Sequence, residues 1–168
     1  MRHPKPDLVG QGQESVWNYP RPAIAEPSDR HLRIEFGGIT IAESRRPVRV
    51  LETSHPPTWY IPETDFADDV LRPAPGRSLC EWKGQAHYYD VVAGGALAER
   101  AAWGYRSPTP AFAALTDHVA VYPAQMDGCF LDGERITPQH AGFYGGWISS
   151  DLAGPFKGDP AYPGTNFW

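Results

Sequence analysis

The sequence predicts a mainly β protein: one compact domain of twisted antiparallel sheets with one or two short helices, an extended N-terminal arm and an irregular C-terminal tail. Three observations point there. Eighteen prolines and seventeen glycines among 168 residues make up roughly a fifth of the chain, against about 12% in ordinary proteins, and cut it into short runs joined by turns. Six Trp, eight Tyr and seven Phe suit a pleated, half-buried surface. Alternating apolar and polar residues recur beside Gly-Gly and Asp-Gly dipeptides, which is the pattern of hairpins. The length fits one domain plus extensions, and a hydrophobic content of 41% is enough for one core without disulfides or metal.

The elements follow in order. Residues 1–29 contain Pro4, Pro6, Pro20, Pro22 and Pro27 and show neither helical nor strand periodicity, so they read as an extended arm pinned by Trp17 and Tyr19. The β domain is expected over residues 30–136. In it Leu32, Ile34 and Phe36 alternate with Arg33 and Glu35, then Gly37-Gly38 turns the chain into Ile39 and Ile41. A third strand spans Val48 to Thr53 and stops at His55-Pro56-Pro57, where ladder pairing ends. Pro62 to Asp65 reads as a helix start capped by Thr64, cut short by Pro73 and Pro75. Arg77–Trp82, Ala86–Ala93 and Arg100–Tyr105 form a meander turned at Lys83-Gly84 and Gly94-Gly95. The run Thr109-Pro110-Ala111-Phe112-Ala113-Ala114-Leu115 predicts a short helix, with Thr109 as N-cap and proline at the first position. Val119–Tyr122 and Cys129–Leu131, then Asp132-Gly133 and Glu134–Ile136, close the sheet. Residues 137–168 hold six glycines, four prolines and seven aromatics without a period, so this tail is expected to pack over the domain by its rings.

Composition also excludes function classes. A formal net charge of -5 and the absence of any Lys/Arg block remove the electrostatic footprint of a nucleic-acid binder. The two cysteines, Cys80 and Cys129, form no Cys-x-x-Cys pair, so neither a disulfide framework nor a thiolate zinc site is signalled. No apolar leader follows Met1, and no run approaches the ~18 apolar residues of a membrane span, so a cytoplasmic protein without a membrane partner is expected. There is no Gly-x-Gly-x-x-Gly, Walker A loop, His-Glu-x-x-His or Gly-x-Ser-x-Gly, so no cofactor is expected. The six histidines are scattered, and no spacing recommends a metal site, including one built from His55, His87 and a carboxylate.

Chemistry concentrates in two segments. Glu52-Thr53-Ser54-His55-Pro56-Pro57-Thr58-Trp59-Tyr60 places a carboxylate, an imidazole and two aromatics on a proline-stiffened stretch, and Cys80-Glu81-Trp82-Lys83-Gly84 adds acid, amine and indole. Strand parity puts Glu81 and Lys83 on one face, opposite Cys80 and Trp82. Glu52, His55, Glu81 and Lys83 are therefore the candidate catalytic groups: a carboxylate beside His55 would fix its tautomer and raise its pKa, and Lys83 would clamp an anion or act as a nucleophile. The plain alternatives are a histidine satisfying backbone groups at a strand end and a solvated Glu81–Lys83 charge pair. Tyr60, Trp82, Tyr88 and Trp103 are the candidate ligand-binding aromatics, since rings with polar tips line pockets as well as cores. Cys80, beside an acid, reads as a small buried hydrophobe.

Phe36-Gly37-Gly38, Arg45-Arg46, Leu51 to Pro57, Tyr60-Ile61-Pro62, Cys80 to Gly84, Tyr88-Tyr89-Asp90-Val91 and Ala102-Trp103 together resemble the bacterial DUF427 family, a domain of unknown function. The segments Glu14 to Trp17 and Phe143 to Ile148 resemble its long actinobacterial members. The resemblance implies a compact β fold similar to Mss4-like, or β-tent, domains, whose relatives often hold zinc through paired Cys-x-x-Cys knuckles. Those cysteines are missing here, so a zinc-dependent role does not carry over, and a nucleotidyltransferase activity lacks its Asp-x-Asp pair and phosphate loop. The expected function is a small-molecule pocket with acid–base groups suited to catalysis. The rival is a non-catalytic interaction module, whose aromatic arm and tail bind another protein or a second copy in a homodimer.

Overall fold

The computed structural model describes residues 4–165 and Trp168. Its strands are β1 (Glu14–Ser15), β2 (Ile24–Pro27), β3 (Leu32–Phe36), β4 (Ile39–Ser44), β5 (Val48–Leu51), β6 (Thr58–Pro62), β7 (Leu71–Cys80), β8 (Gly84–Ala93), β9 (Ala96–Gly104), β10 (His118–Val121), β11 (Gly128–Leu131), β12 (Glu134–Arg135), β13 (Thr137–Pro138), β14 (Trp147–Ile148) and β15 (Leu152–Ala153). Seven of them form an antiparallel sheet in the order β2-β5-β6-β10-β9-β8-β7, which curls into a half-barrel. A four-stranded sheet, β12-β11-β3-β4, lies against it, so the expectation of a mainly β, single-domain architecture holds. Among the described residues the helices are short 3-10 turns, and Pro110–Leu115 is the longest.

Period-two alternation decides which side chain faces where. On β3, Leu32, Ile34 and Phe36 are buried while Arg33 and Glu35 are not. They meet Trp59 and Ile61 of β6, Tyr89 and Val91 of β8 and Val119 and Val121 of β10 in the main core between the two sheets. The opposite, concave face of the half-barrel carries Val48, Val50, Tyr60, Ala86, Tyr105 and Ala120, joined there by Phe112 and Leu115. A single strand thus feeds two environments: Trp59 and Ile61 go to the core, Thr58 and Tyr60 to the concavity.

The turns match their residue types. Gly37 and Gly38 adopt φ values of 63° and 79°, and Gly94 and Gly95 repeat them at 56° and 80°, the doubly left-handed geometry of a two-residue hairpin. The two turns also touch. A Cβ on Gly37 would collide with the Ala93 carbonyl oxygen, and one on Gly94 with the Gly37 carbonyl oxygen.

Several expectations need correction. The arm is not merely extended, since β2 joins the half-barrel along β5 and β1 pairs in parallel with β15 of the tail. Arg49 on β5 holds the arm by ion pairs to Glu14 at 2.6 Å and Glu26 at 2.8 Å. The helical turn after Pro62 is short, as expected, but the strand expected from Arg77 begins at Leu71, so Pro73 and Pro75 sit within β7, a sheet edge, near a bulge between Ala74 and Arg77. Thr64 lies inside the 3-10 turn Glu63–Asp65 and does not cap it. Thr109 makes no side-chain cap either, because its hydroxyl donates to the Trp82 carbonyl. Glu81, Trp82 and Lys83 form the turn between β7 and β8 instead of continuing a strand, so strand parity does not order them.

Candidate functional site

The segment leaving β5 is held in an unusual conformation. Ser54 has φ 73°, a left-handed value that costs a non-glycine residue energy, and its buried hydroxyl has no hydrogen-bond partner among the described residues. Neighbours on both sides fix it: its amide donates to the Val16 carbonyl of the arm, and its carbonyl accepts from the Lys157 amide of the tail. That grip turns Glu52 and His55 toward the concave face of the half-barrel.

A cleft of about 430 Å³ opens there. Its floor is the concave face, with Tyr60 of β6, Tyr88 of β8, Trp103 of β9, and Tyr105 and Tyr122 just beyond β9 and β10. The Trp103 indole donates to the Tyr60 hydroxyl at 3.2 Å and stacks 4.5 Å from Tyr122. The rim includes Glu52, His55 and Lys83, and a further wall comes from the tail: Gln139, Phe143, Tyr144, Gly145 and Lys157. Close approach explains Gly145, where a Cβ would strike the Trp103 ring.

Hydrogen bonds settle the state of His55. The Gly146 amide can only donate, so the Gln139 atom that receives it at 3.2 Å is the carbonyl oxygen Oε1. The Gln139 amide nitrogen then donates both its protons, to the Lys157 carbonyl at 2.9 Å and to His55 Nδ1 at 3.2 Å. With Nδ1 accepting, the neutral ring carries its proton on Nε2, which lies 3.5 Å from Glu52 Oε2. Arg21 approaches the same carboxylate oxygen at 3.7 Å, and the Tyr144 ring stands edge-on to the imidazole at 5.2 Å.

The electrostatics run against the sequence expectation for this histidine. Burial, reinforced by Lys157, Arg21 and Lys83, pushes the imidazole down to about 4, and the Gln139 contact only opposes this. The nearby carboxylate leaves the ring proton facing it but does not raise the pKa. Burial and Arg21 likewise hold Lys157 below the usual lysine range. His55 is therefore neutral near pH 7 and unsuited to supplying a positive charge.

Of the eight candidates read from the sequence, Glu52, His55, Lys83, Tyr60, Tyr88 and Trp103 line this one cleft, and Glu81 and Trp82 do not. Glu81 is exposed on its turn. Trp82 is half-buried against the cluster around Phe112 and Leu115. His55 and His87 belong to no group of metal-ligating side chains among the described residues. Sequence reasoning missed the whole tail wall, as well as Tyr105, Tyr122 and Arg21. One signal was present for Lys157, because the chain has only three lysines, Lys5, Lys83 and Lys157.

A family model described as a domain of unknown function, DUF427, matches residues 24–132, well over half of the chain. The chain belongs to the DUF427 family. No curated protein matches it. The DUF427 segment supplies the half-barrel floor and the rim groups Glu52, His55 and Lys83, whereas Gln139, Tyr144 and Lys157 lie outside the matched residues. Among the described residues, no helix is long and apolar enough to cross a membrane.

Proposed function

We propose that the cleft is a small-molecule-binding pocket in which Glu52 is the group that exchanges protons with the ligand. The observation carrying this is convergence: two segments some thirty residues apart, chosen for their chemistry, deliver Glu52, His55 and Lys83 to one aromatic-floored cavity of about 430 Å³, inside the ~300–1,000 Å³ range of ligand sites. His55 positions the carboxylate and is not itself the base. It is held neutral by burial, with Nδ1 occupied by Gln139 and its ring proton facing Glu52. Lys83, free of any carboxylate within ion-pair distance among the described residues, is the group available to a ligand's polar end. Acid–base catalysis at such a site asks for a carboxylate within reach of the substrate and a fixed partner behind it.

The interaction-module alternative leans on exposed aromatic segments. Phe143 and Tyr162 of the tail are exposed, but Phe143 lines the cleft, Trp147 and Trp168 are buried, and the Trp17 indole donates to the Pro155 carbonyl at 2.9 Å, so most arm and tail rings hold the fold together, which favours the pocket. The test is a thermal-shift screen of a metabolite panel against wild type, Glu52→Gln, His55→Ala and Lys83→Ala. A pocket ligand present at 100 times its Kd stabilises the wild type by about 2.7 kcal/mol, and that stabilisation shrinks in the variants. Ligands that stabilise all four proteins equally would remove these residues from the site.

A further inference from the structure

The cations of this chain are distributed unevenly. Arg30, Arg33, Arg46 and Arg49 each lie within 2.9 Å of a carboxylate, whereas Arg45, Arg72, Arg77, Arg100, Arg106 and Arg135 make no ion pair among the described residues and line no part of the cleft. Neither lysine of the cleft has a side-chain carboxylate within ion-pair distance among the described residues. Lys83 Nζ has the Cys80 sulfur at 3.8 Å and the face of Phe112 at 5.9 Å. Lys157 Nζ has the Trp168 main-chain oxygen at 3.4 Å. Two of the chain's three lysines thus face one cavity.

The same cavity is lined by a single carboxylate, Glu52, which is already within 4 Å of Arg21 and His55. Counting Lys83, Lys157 and Glu52, the lining carries a formal charge of +1 on a chain of net charge -5, and Arg21 adds to it from behind Glu52. Their field is felt inside the cleft, since Lys157, Arg21 and Lys83 all disfavour protonation of His55. A partly desolvated ammonium group without a side-chain counter-ion is costly, and an anion that reaches it gains charge-assisted hydrogen bonds. Flat aromatic rings form part of the lining, namely Tyr88, Trp103, Tyr105 and Tyr122, which suits a ring and not a long aliphatic chain.

We propose that the cleft takes a small planar acid, its ring against Trp103 and the tyrosines and its carboxylate or phosphate held by Lys83 and Lys157. This deepens the ligand-pocket reading and rests on it. The test is isothermal titration of the full chain with 2-naphthoate, 2-naphthyl phosphate and the neutral 2-naphthamide, on wild type, Lys83→Met, Lys157→Met, the double variant, and Lys157→Arg as a charge-preserving control, with circular dichroism confirming that each is folded. At least one acid is expected to bind wild type tenfold or more tightly than the amide. Each single Met variant should lose about tenfold for that acid, the double variant should lose the preference, and Lys157→Arg should largely retain it. Which of the two acids binds better tells a carboxylate ligand from a phosphate one. An amide that binds as tightly as the acids overturns the proposal while leaving the pocket intact. A double variant that keeps the acid preference overturns it too, as does a wild type that binds neither acid, with the metabolite screen then judging the pocket separately.

Discussion

His55 shows how one side chain's surroundings can reverse the role its neighbours suggest. A histidine three residues from a glutamate looks like a charged pair, yet burial and three cations keep it neutral. The sign of its pH effect follows. Its folded value of about 4 lies below the ~6.5 of an unfolded chain, so as pH falls the unfolded state takes up the proton first and stability is lost between about pH 6.5 and 4. Between pH 7.5 and 5 the loss from this residue is about 2 kcal/mol. Denaturant unfolding of wild type and His55→Asn at the two pH values should show wild type losing that much more than the variant, and parallel losses would refute a buried neutral ring. Glu52, His55 and Lys83 were legible because unlike polar types crowded into short proline-flanked and glycine-flanked stretches. Glu81 and Trp82 fall outside the cleft because the stretch they occupy is a turn, where the alternation of a strand has no meaning. Gln139 could not be found at all: its role depends on three partners, at His55, Gly146 and Lys157, none adjacent to it in sequence.

At the level of elements, hairpins were the most readable part, since Gly-Gly and Asp-Gly carry their own backbone geometry. Strand ends and the arm were harder. The residues of β2, Ile24-Ala25-Glu26-Pro27, carry no alternation to announce a strand, and they pair because β5 offers a free edge. β7 shows the same effect at the other edge, where a long partner strand overrides prolines. The resemblance between the two Gly-Gly turns has a structural counterpart that sequence alone does not give, namely that they abut. Alanine substitutions separate the two costs. Gly95→Ala places a methyl at positive φ in open space and should cost about 1–2 kcal/mol. Gly94→Ala adds a collision with the Gly37 carbonyl, so at least ~2 kcal/mol more is expected. Equal midpoints in urea would mean that the turns do not press on each other.

For the whole molecule, the fold class followed from composition and patterning, whereas the closing of the cleft did not, because the tail has no period and its position is set by scattered anchors. Trp147 is one, only 1% exposed; Arg30 is another, bridging Asp132 and Asp151 at 2.7 Å each. Ending the chain after Ile136 removes the Trp147 packing, worth ~3–5 kcal/mol for such a ring, and should lower Tm by roughly 10 °C or more. It should also abolish ligand-induced shifts in the metabolite screen; a truncated protein that melts and responds like the full chain would refute the tail's structural role. Since floor and wall of the cleft lie on segments far apart in sequence, the cavity exists only once both are in place. A nascent chain that has emerged only as far as Arg135 carries the strands of both large sheets, yet the cavity it will enclose still lacks a wall.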